Sequence, residues 1–226
     1  LLRPLVRHPK RLAYSQTLRR YTLDDLANAG DADQRPIKPQ GILRDLREAL
    51  DPHGLLISDV GAHKVWIARM FLPSEPNTVI ISNGFAAMGI ALPGAIVAKL
   101  LQPQRQVVAI CGDGGFLMNS HELETAVRLG VNPVVIVFND GGFGLIHAKQ
   151  LSQFGRTFGV TFGNPDFVAF AESFGARGYH VESSAEFRRA LGDALKQSQP
   201  SVIDVPIDYR EHARLTERLG HLVCPI

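Results

Sequence analysis

Two aspartates in glycine-rich turns are the side chains best placed to do chemistry in this sequence. Asp113 and Asp140 lie in the segments GDGG (112–115) and NDGG (139–142), and each segment directly follows an apolar run. Carboxylate oxygens are the protein ligands that Mg²⁺ prefers, in combination with phosphate oxygens. Two carboxylates that converge without a cation repel each other. The pair therefore predicts a divalent cation beside a phosphate group, although the first turn taken alone is also typical of a helix cap.

The spacing of the two turns indicates that they meet in space. From Asp113 to Asp140 the chain advances by 27 residues, which is enough for one helix and one buried strand. A step of this kind returns the chain to the same edge of a parallel sheet. Ligands of such sheets bind beyond the carboxyl ends of the strands, so we expect the binding crevice there.

The elements that must position these turns alternate regularly from residue 36 onward. Apolar runs bounded by turn residues predict strands, and apolar residues at helical spacing predict helices between them. Strands are expected at 55–58, 78–82, 106–111, 133–138 and 201–207, and helices at 42–50, 62–71, 86–101 and 119–129. The pattern predicts an α/β fold with a doubly wound parallel sheet and helices on both faces.

Two later helices are predicted from the residues that begin them. Asn164 followed by Pro165 is typical of a helix cap and a first helical position. Ser183 and Glu186 have the spacing of a capping box. We therefore expect one helix to begin beside Asn164 and another to begin beside Ser183.

The N-terminal region differs from the rest of the chain. Residues 1–21 carry six basic groups and no acidic one, and Pro4 and Pro9 argue against an amphipathic helix there. The chain also begins with Leu1 rather than Met. We predict that residues 1–35 are a linker or the remnant of a preceding domain, that residues 36–226 are one domain, and that the sequence is a piece of a longer protein.

Composition and motifs exclude several classes of function. A formal net charge of +2 does not favour nucleic acid as a partner, and no apolar stretch is long enough to span a membrane. Cys111 and Cys224 form no disulfide framework, so a cytoplasmic location is the default expectation. Dinucleotide, Walker A, serine-hydrolase and zinc motifs are not found in the sequence.

Four blocks of sequence resemble one known family. SDVGAHKVWIAR (58–69), ISNGFAAMGIALPGAI (81–96), GDGGFLMNSHELETAVRLG (112–130) and VPIDYRE (205–211) are similar to the C-terminal, diphosphate-binding domain of acetolactate synthase, a thiamine-diphosphate enzyme. The resemblance covers roughly residues 36–220 and implies the thiamine-diphosphate-binding fold, with thiamine diphosphate and Mg²⁺ as cofactors.

The resemblance also implies roles for single residues. Asp113 and Asp140 would ligate Mg²⁺ through their side chains, and Gly142 would ligate it through its backbone carbonyl. Met88 would lie between the two rings of the cofactor and hold it bent, while the backbone near Ala86 would accept a hydrogen bond from the aminopyrimidine. The segments that would meet the diphosphate contain Gly61, Ala62, His63, Gly112, Gly114 and Gly115.

The implied activity is decarboxylation of pyruvate, followed by ligation of the resulting enamine to a second 2-oxo acid to give 2-acetolactate. A related 2-oxo acid decarboxylase or carboligase is the alternative, because Lys149 departs from the family pattern at a position tied to the acceptor acid. A cofactor-binding module without chemistry is the non-enzyme alternative. FAD is left open, because its site would lie mostly in another domain.

The family places its catalytic glutamate in an N-terminal domain to which nothing in this chain corresponds. We therefore expect that domain, from the same or a partner subunit, to be required for activity, and the chain alone to be inactive. A homodimer or homotetramer is the expected assembly. The surface around Phe85, Met88 and Phe143 is expected to be apolar where the other domain would pack.

Overall fold

A computed structural model describes residues 9–27 and 35–208 of the chain. The helices are α1 (Pro9–Ala27), α2 (Pro39–Ala49), α3 (Ala62–Met70), α4 (Ala91–Leu101), α5 (Asp113–Asn119), α6 (Glu122–Arg128), α7 (Gly144–Phe154), α8 (Phe167–Ser173) and α9 (Ser184–Ala194). The strands are β1 (Leu55–Ser58), β2 (Val79–Ile81), β3 (Val107–Gly112), β4 (Val134–Asn139), β5 (Arg177–His180) and β6 (Ser201–Pro206). Within these described residues, no helix combines the length and the apolar character needed to cross a bilayer.

All six strands form one parallel sheet in the order β2-β1-β3-β4-β6-β5. Ser58 of β1 lies beside Ile110 of β3, and Gly112 of β3 lies beside Phe138 of β4. Because β2 and β3 lie on opposite sides of β1, the order of the strands reverses at this point, where ligands of such sheets bind. The predicted doubly wound sheet is confirmed, and β5 is an edge strand that the apolar pattern missed.

The two faces of the sheet bury separate clusters of side chains. On β3, Val108 and Ile110 pack with α2, α3 and α9, whereas Val107 and Ala109 pack with α4, α5, α6 and α8. Successive residues of a strand point to opposite faces, which is why a central strand must be apolar throughout. By contrast, α7 buries none of its residues. The arrangement is a three-layer α/β/α sandwich.

The helix predicted at 86–101 begins only at Ala91. Residues 83–90 form an irregular loop in which Ala86 has a φ of 51° and Gly89 a φ of 87°. Both angles lie outside the right-handed helical region, so the prediction is wrong for the first five residues. The segment predicted as a helix at 119–129 overlaps two separate helices, α5 and α6.

A helix also occupies part of the predicted linker. Pro9 stands at the first position of α1, where the missing N–H has no intrahelical partner to lose, so it begins this helix and does not interrupt it. The apolar residues of α1 do not gather on one face, so the argument against an amphipathic helix is not contradicted. The hydroxyl of Thr22 donates to the carbonyl of Arg69 at 3.4 Å, and the Arg69 side chain donates to Asp25 at 3.2 Å. These contacts attach α1 to α3, while the domain boundary at residue 36 stays a prediction.

Candidate active site

Eleven residues that the sequence nominates line a single cavity of about 190 Å³ at the carboxyl edge of the sheet. The segment from β1 into α3, the loop before α4 and the turns after β3 and β4 supply them. They are Gly61, Ala62, His63, Ala86, Met88, Gly112, Asp113, Gly114, Gly115, Asp140 and Gly142. The structure therefore brings the whole predicted set together.

Asp113 is the most firmly held member of this set. The residue is 1% exposed, and its Oδ1 accepts a hydrogen bond from the amide of Gly114 at 2.7 Å. Its Oδ2 accepts from the Gly141 amide at 2.7 Å and from Nδ2 of Asn164 at 2.8 Å. A carboxylate offers about four lone-pair positions. The three donors therefore orient the group and leave one position, on Oδ1, for a cation.

Asp140 lies in the turn after β4, and the residue as a whole is exposed to solvent. Desolvation of its carboxyl in the crevice, and then the negative charge of Asp113, raise the pKa of Asp140 to about 7. A divalent cation between the two carboxylates would offset their repulsion. The electrostatics of the pair thus match the predicted metal site.

Gly142 is fixed by a short antiparallel contact with the segment 160–162. The amide of Phe143 donates to the carbonyl of Val160 at 2.8 Å, and the amide of Phe162 donates to the carbonyl of Gly141 at 3.0 Å. A Cβ on Gly142 would lie 2.6 Å from the Val160 carbonyl oxygen, so a side chain cannot be accommodated there. This contact positions the turn that carries the predicted carbonyl ligand.

Asn164 is a site residue whose role the sequence prediction missed. Its predicted place as the cap of α8 is taken by Asp166, whose Oδ1 accepts from the amides of Val168 and Ala169. Asn164 instead donates through Nδ2 to Asp113 and, at 2.9 Å, to Oδ1 of Asn139. The cap prediction is therefore wrong, because Asn-Pro and Asp-Phe offer competing caps two residues apart.

A chain of hydrogen bonds continues from Asn164 towards the edge of the sheet. Nδ2 of Asn139 donates to Oδ1 of Asp204 at 2.9 Å, and Oδ2 of Asp204 pairs with Nδ1 of His180 at 2.8 Å. The chain links β4, β6 and β5 to the carboxylate of Asp113. Only the sheet order could reveal it, since these residues are far apart in sequence.

His63 is fully buried in the first turn of α3 and stands beside the Gly112 turn. Burial lowers the pKa of His63 to about 4, a hydrogen bond to the backbone of Asp59 opposes this shift, and the charge of Lys64 adds to it. The imidazole is therefore neutral near pH 7. Its Nε2 atom is buried without a hydrogen-bond partner, so a polar group of a ligand in the cavity could satisfy it.

The glycines after β3 have a second reason to lack a side chain, in addition to the one predicted. The sequence suggests that their backbone must approach an anion closely. In the structure, a Cβ on Gly114 would lie 2.6 Å from Cε1 of Phe143, and a Cβ on Gly115 would lie 2.8 Å from Oδ2 of Asp59. Packing within the protein alone therefore excludes side chains at both positions.

Residues 59–205 match the family described as "Thiamine pyrophosphate enzyme, C-terminal TPP binding domain". The chain belongs to this family. The match begins directly after β1, ends within β6 and includes every residue that lines the cavity, which confirms the family resemblance derived from the sequence blocks.

Curated relatives of this thiamine pyrophosphate enzyme domain include several acetolactate synthases. The chain is 45% identical to "Acetolactate synthase" of Bacillus subtilis (strain 168), over 78% of this chain and 31% of the relative. It is 40% identical to "Acetolactate synthase, catabolic" of Raoultella terrigena, over 83% of this chain and 34% of the relative. The chain thus spans about a third of the length of the curated relatives it matches.

A solved structure of the same architecture is the Rhodococcus jostii RHA1 thiamine diphosphate-dependent 4-hydroxybenzoylformate decarboxylase. It aligns with a TM-score of 0.73 at 24% sequence identity and covers 80% of this chain and 36% of that chain. At this identity the likeness shows the fold, which is that of the thiamine-diphosphate-binding domain.

The cavity of this thiamine pyrophosphate enzyme domain contains polar atoms suited to a diphosphate with a bound metal ion. Among the described residues, no three His, Cys, Asp or Glu side chains converge to hold a metal by themselves. Two carboxylates with an open lone pair, and the unpartnered Nε2 of buried His63, are an incomplete set that a cation and a diphosphate would complete. The residues therefore fit this pair of ligands.

Lys149 lies outside the 190 Å³ cavity. It is exposed on α7 and lines an adjoining cavity of about 940 Å³, which shares Asp140 and Gly142 with the smaller one. The position that the family resemblance would tie to the acceptor acid is therefore next to the predicted metal site and not inside it.

Proposed function

We propose that this chain is the thiamine-diphosphate- and Mg²⁺-binding part of an acetolactate synthase-like enzyme. In this reaction pyruvate is decarboxylated and the two-carbon unit is joined to a second 2-oxo acid, giving 2-acetolactate. The observation that carries the proposal is the convergence of Asp113, Asp140 and the Met88 loop on one cavity. The identity to acetolactate synthases supports the choice of reaction.

The two carboxylates would bind the cation in different ways. Asp113 would bind through the remaining position on Oδ1, because its other lone pairs already accept hydrogen bonds. Asp140 would bind in the ionised form, which burial and then the charge of Asp113 oppose in the absence of a cation. The carbonyl of Gly142 would complete the protein's share, and the diphosphate would supply further oxygens.

The diphosphate would lie between the turn after β1 and the turn after β3. A phosphate oxygen only accepts hydrogen bonds, so His63 would bind it with a proton on Nε2, either in the tautomer that gives up the bond to the Asp59 backbone or as an imidazolium favoured by the diphosphate charge. The backbone of Gly61, Gly112 and Gly115 lines the same cavity. The Gly114 amide already donates to Asp113, so its first role is to orient the metal ligand.

Met88 and Ala86 would act on the organic part of the cofactor. The flexible, polarizable thioether of Met88 suits an irregular gap between two rings, and the left-handed backbone at Ala86 turns the loop towards the cavity. Thiamine diphosphate, when bound, supplies the stabilisation of negative charge that decarboxylation of a 2-oxo acid requires. The protein's part is to orient it and to exclude water.

The remaining parts of the active site would come from elsewhere. We propose that an N-terminal domain of the same or a partner subunit supplies the catalytic glutamate, within a homodimer or homotetramer. Phe85 lies in the loop 83–90 and is fully exposed, as expected for a surface that another domain covers. The chain alone should therefore release no carbon dioxide from pyruvate. A cytoplasmic location belongs to the same proposal, with the free thiol of Cys111 in its support.

Calorimetric titration of the complete natural protein with thiamine diphosphate tests the cofactor assignment. Binding should be observed with Mg²⁺ and should disappear with EDTA, because the diphosphate and the two aspartates are all negative. Binding of equal strength without metal would overturn the assignment.

Product analysis tests the reaction. With pyruvate as the only substrate we expect 2-acetolactate, whereas acetaldehyde as the sole product would favour the alternative, a related 2-oxo acid decarboxylase. Lys149 beside the site is the observation that keeps this alternative open. Replacing Lys149 with Gln should change the choice of acceptor acid more than the affinity for the cofactor.

A further inference from the structure

Asp59 is a buried carboxylate that the predicted chemistry does not use. It follows β1 directly and is 0% exposed. Its Oδ1 accepts from the amide of Val60 at 2.7 Å, and both of its oxygens lie 2.9 Å from the amide of Gly89. Its own amide donates to the carbonyl of Ile110 at 2.8 Å. One residue thus contacts β3 and the loop that precedes α4.

The partners of Asp59 belong to three of the four segments that form the cavity. Val60 begins the turn that contains His63, and Gly89 directly follows Met88. On the third side, Oδ2 of Asp59 occupies the space into which a Cβ on Gly115 would project. The thiol of Cys111, at the end of β3, adds a further hydrogen bond. A carboxylate at this point can therefore set the distances between the segments.

The loop that carries Met88 has few other attachments at this end. The carbonyl of Gly89 accepts from Nδ2 of Asn119 at 2.8 Å, so the peptide groups around Gly89 are held from both sides. At the start of the loop, Nζ of Lys64 donates to the carbonyl of Ser82 at 3.3 Å. Between these points the chain passes through the left-handed Ala86 and the fully exposed Phe85.

We propose that Asp59 is the positioning residue of the Met88 loop, and that its carboxylate sets the place of Met88 relative to the diphosphate turns. This inference rests on the proposed function. Burial without a cationic partner is unfavourable for a carboxylate, and burial raises the pKa of Asp59 accordingly. Donors from several segments offset that cost only while the segments keep their native arrangement, which makes the carboxylate a sensitive determinant of loop position.

The test compares Asp59→Asn with Asp45→Asn in the complete natural protein. Asp45 is an equally buried carboxylate, 1% exposed, but it pairs with Arg44 and Arg188 on the face of α2, away from the cavity. Both substitutions replace a buried carboxylate with a neutral amide of nearly the same volume. Asn119→Ala is a milder second variant, because it removes the other hydrogen bond to Gly89 from a half-buried position.

Hydrogen exchange of the segment 84–90 is the first measurement, and it needs no cofactor. We expect exchange of the Gly89 amide to quicken by roughly tenfold or more in Asp59→Asn and by less in Asn119→Ala, since a bond to a charged acceptor is lost in the first case only. In Asp45→Asn the segment should exchange as in the parent protein. Exchange at Gly89 that is unchanged in both Asp59→Asn and Asn119→Ala would overturn the proposal.

Kinetics at saturating cofactor and Mg²⁺ is the second measurement. Asp59→Asn should lower kcat by about tenfold with less than about a threefold change in Kd for thiamine diphosphate, the signature of lost positioning. A kcat equal to that of Asp45→Asn would overturn the role in positioning Met88. If the parent protein binds no thiamine diphosphate with Mg²⁺, the proposed function fails, and the exchange measurement still decides whether Asp59 holds the loop.

Discussion

The metal side and the Met88 side of the cavity are constructed in opposite ways. On the metal side, Asp113 begins a helix at the end of a central strand and accepts three hydrogen bonds within 2.8 Å. On the other side, residues 83–90 are irregular, and Ala86 adopts a left-handed conformation that L residues rarely occupy. The proposed ligand Asp113 is thus fixed by regular structure, whereas Met88, proposed to bend the cofactor, lies on a loop.

This difference separates two tasks. Holding a cation and a diphosphate requires ligands at fixed distances, which strand ends and short turns provide. Selecting one conformation of a flexible cofactor requires a side chain that is adaptable but correctly placed. We therefore expect changes on the metal side to affect binding and changes in the loop to affect turnover. Four predictions test this distinction.

The largest expected effect is on the metal side. Asp113→Ala should weaken Mg²⁺-dependent binding of thiamine diphosphate by more than about 100-fold, because it removes a ligand and leaves the buried donors of Gly141 and Asn164 unpaired. Asp140→Asn should cost less than about tenfold, since an amide oxygen still ligates Mg²⁺. Calorimetry at a fixed Mg²⁺ concentration measures both. Equal losses would contradict the assigned difference between the two aspartates.

The second prediction concerns stability on the same side. The pKa of His63 is about 4 in the folded chain, against an ordinary value of 6.5, so below pH 6.5 the unfolded chain binds the proton first. Burial of the neutral imidazole therefore does not reduce the free energy of unfolding above pH 6.5. As the pH falls from 6.5 towards 4, the free energy of unfolding decreases by a total of about 3 kcal/mol.

Urea unfolding of the parent protein and of His63→Gln, at pH 7.5 and pH 4.5 without cofactor, checks this expectation. The fall in the free energy of unfolding between the two pH values should be smaller in His63→Gln. Taking the difference between the two proteins removes the contribution of other groups such as Asp59, whose pKa is raised. Parallel pH profiles would show that the pKa of His63 is not lowered in the folded chain.

The third prediction concerns the loop. Met88→Ala should lower kcat by roughly tenfold while changing the Kd of thiamine diphosphate by less than about threefold, because the side chain selects a conformation and supplies little binding energy. Met118→Ala is the matched control, since Met118 is a half-exposed methionine on α5. Weak binding with normal turnover at saturation would make Met88 ordinary packing and remove the distinction between the two sides.

The smallest expected effect tests the hydrogen-bond chain behind Asp113. Asn164→Ala should weaken metal-dependent cofactor binding by about threefold to tenfold, because Asp113 loses one of three orienting donors. Asn132→Ala is its control, since Nδ2 of Asn132 also donates a side-chain hydrogen bond, in this case to the backbone carbonyl of Gln197, but Asn132 precedes β4 at the opposite edge of the sheet. Equal effects of the two changes would show that Asn164 acts through stability alone.

Local sequence patterns were enough to predict the fold and to bring Asp113 and Asp140 to one site. Runs such as 106–111 can be buried only in the middle of a parallel sheet, and turns that follow such strands meet at one edge. Asp113 and Asp140 were therefore predictable from spacing, and the predicted cavity residues do share one cavity. The roles of His63, Ala86 and Met88 depended on the family resemblance, because a histidine or methionine by itself is more typical of packing.

The partners of these residues depended on tertiary structure. Asn164 and Pro165 satisfy the rule for a helix cap, yet Asp166 caps the helix and the Asn164 side chain donates to the buried carboxylate of Asp113 instead. Residues 86–90 continue the apolar run of α4 towards the N-terminus, which is why a helix was predicted there, but the hydrogen bonds that hold Gly89 between Asp59 and Asn119 favour another backbone. Sequence patterns report what neighbours along the chain prefer. Hydrogen bonds between residues 30 to 65 positions apart form only once the sheet has set its order, and they decide how the site is held.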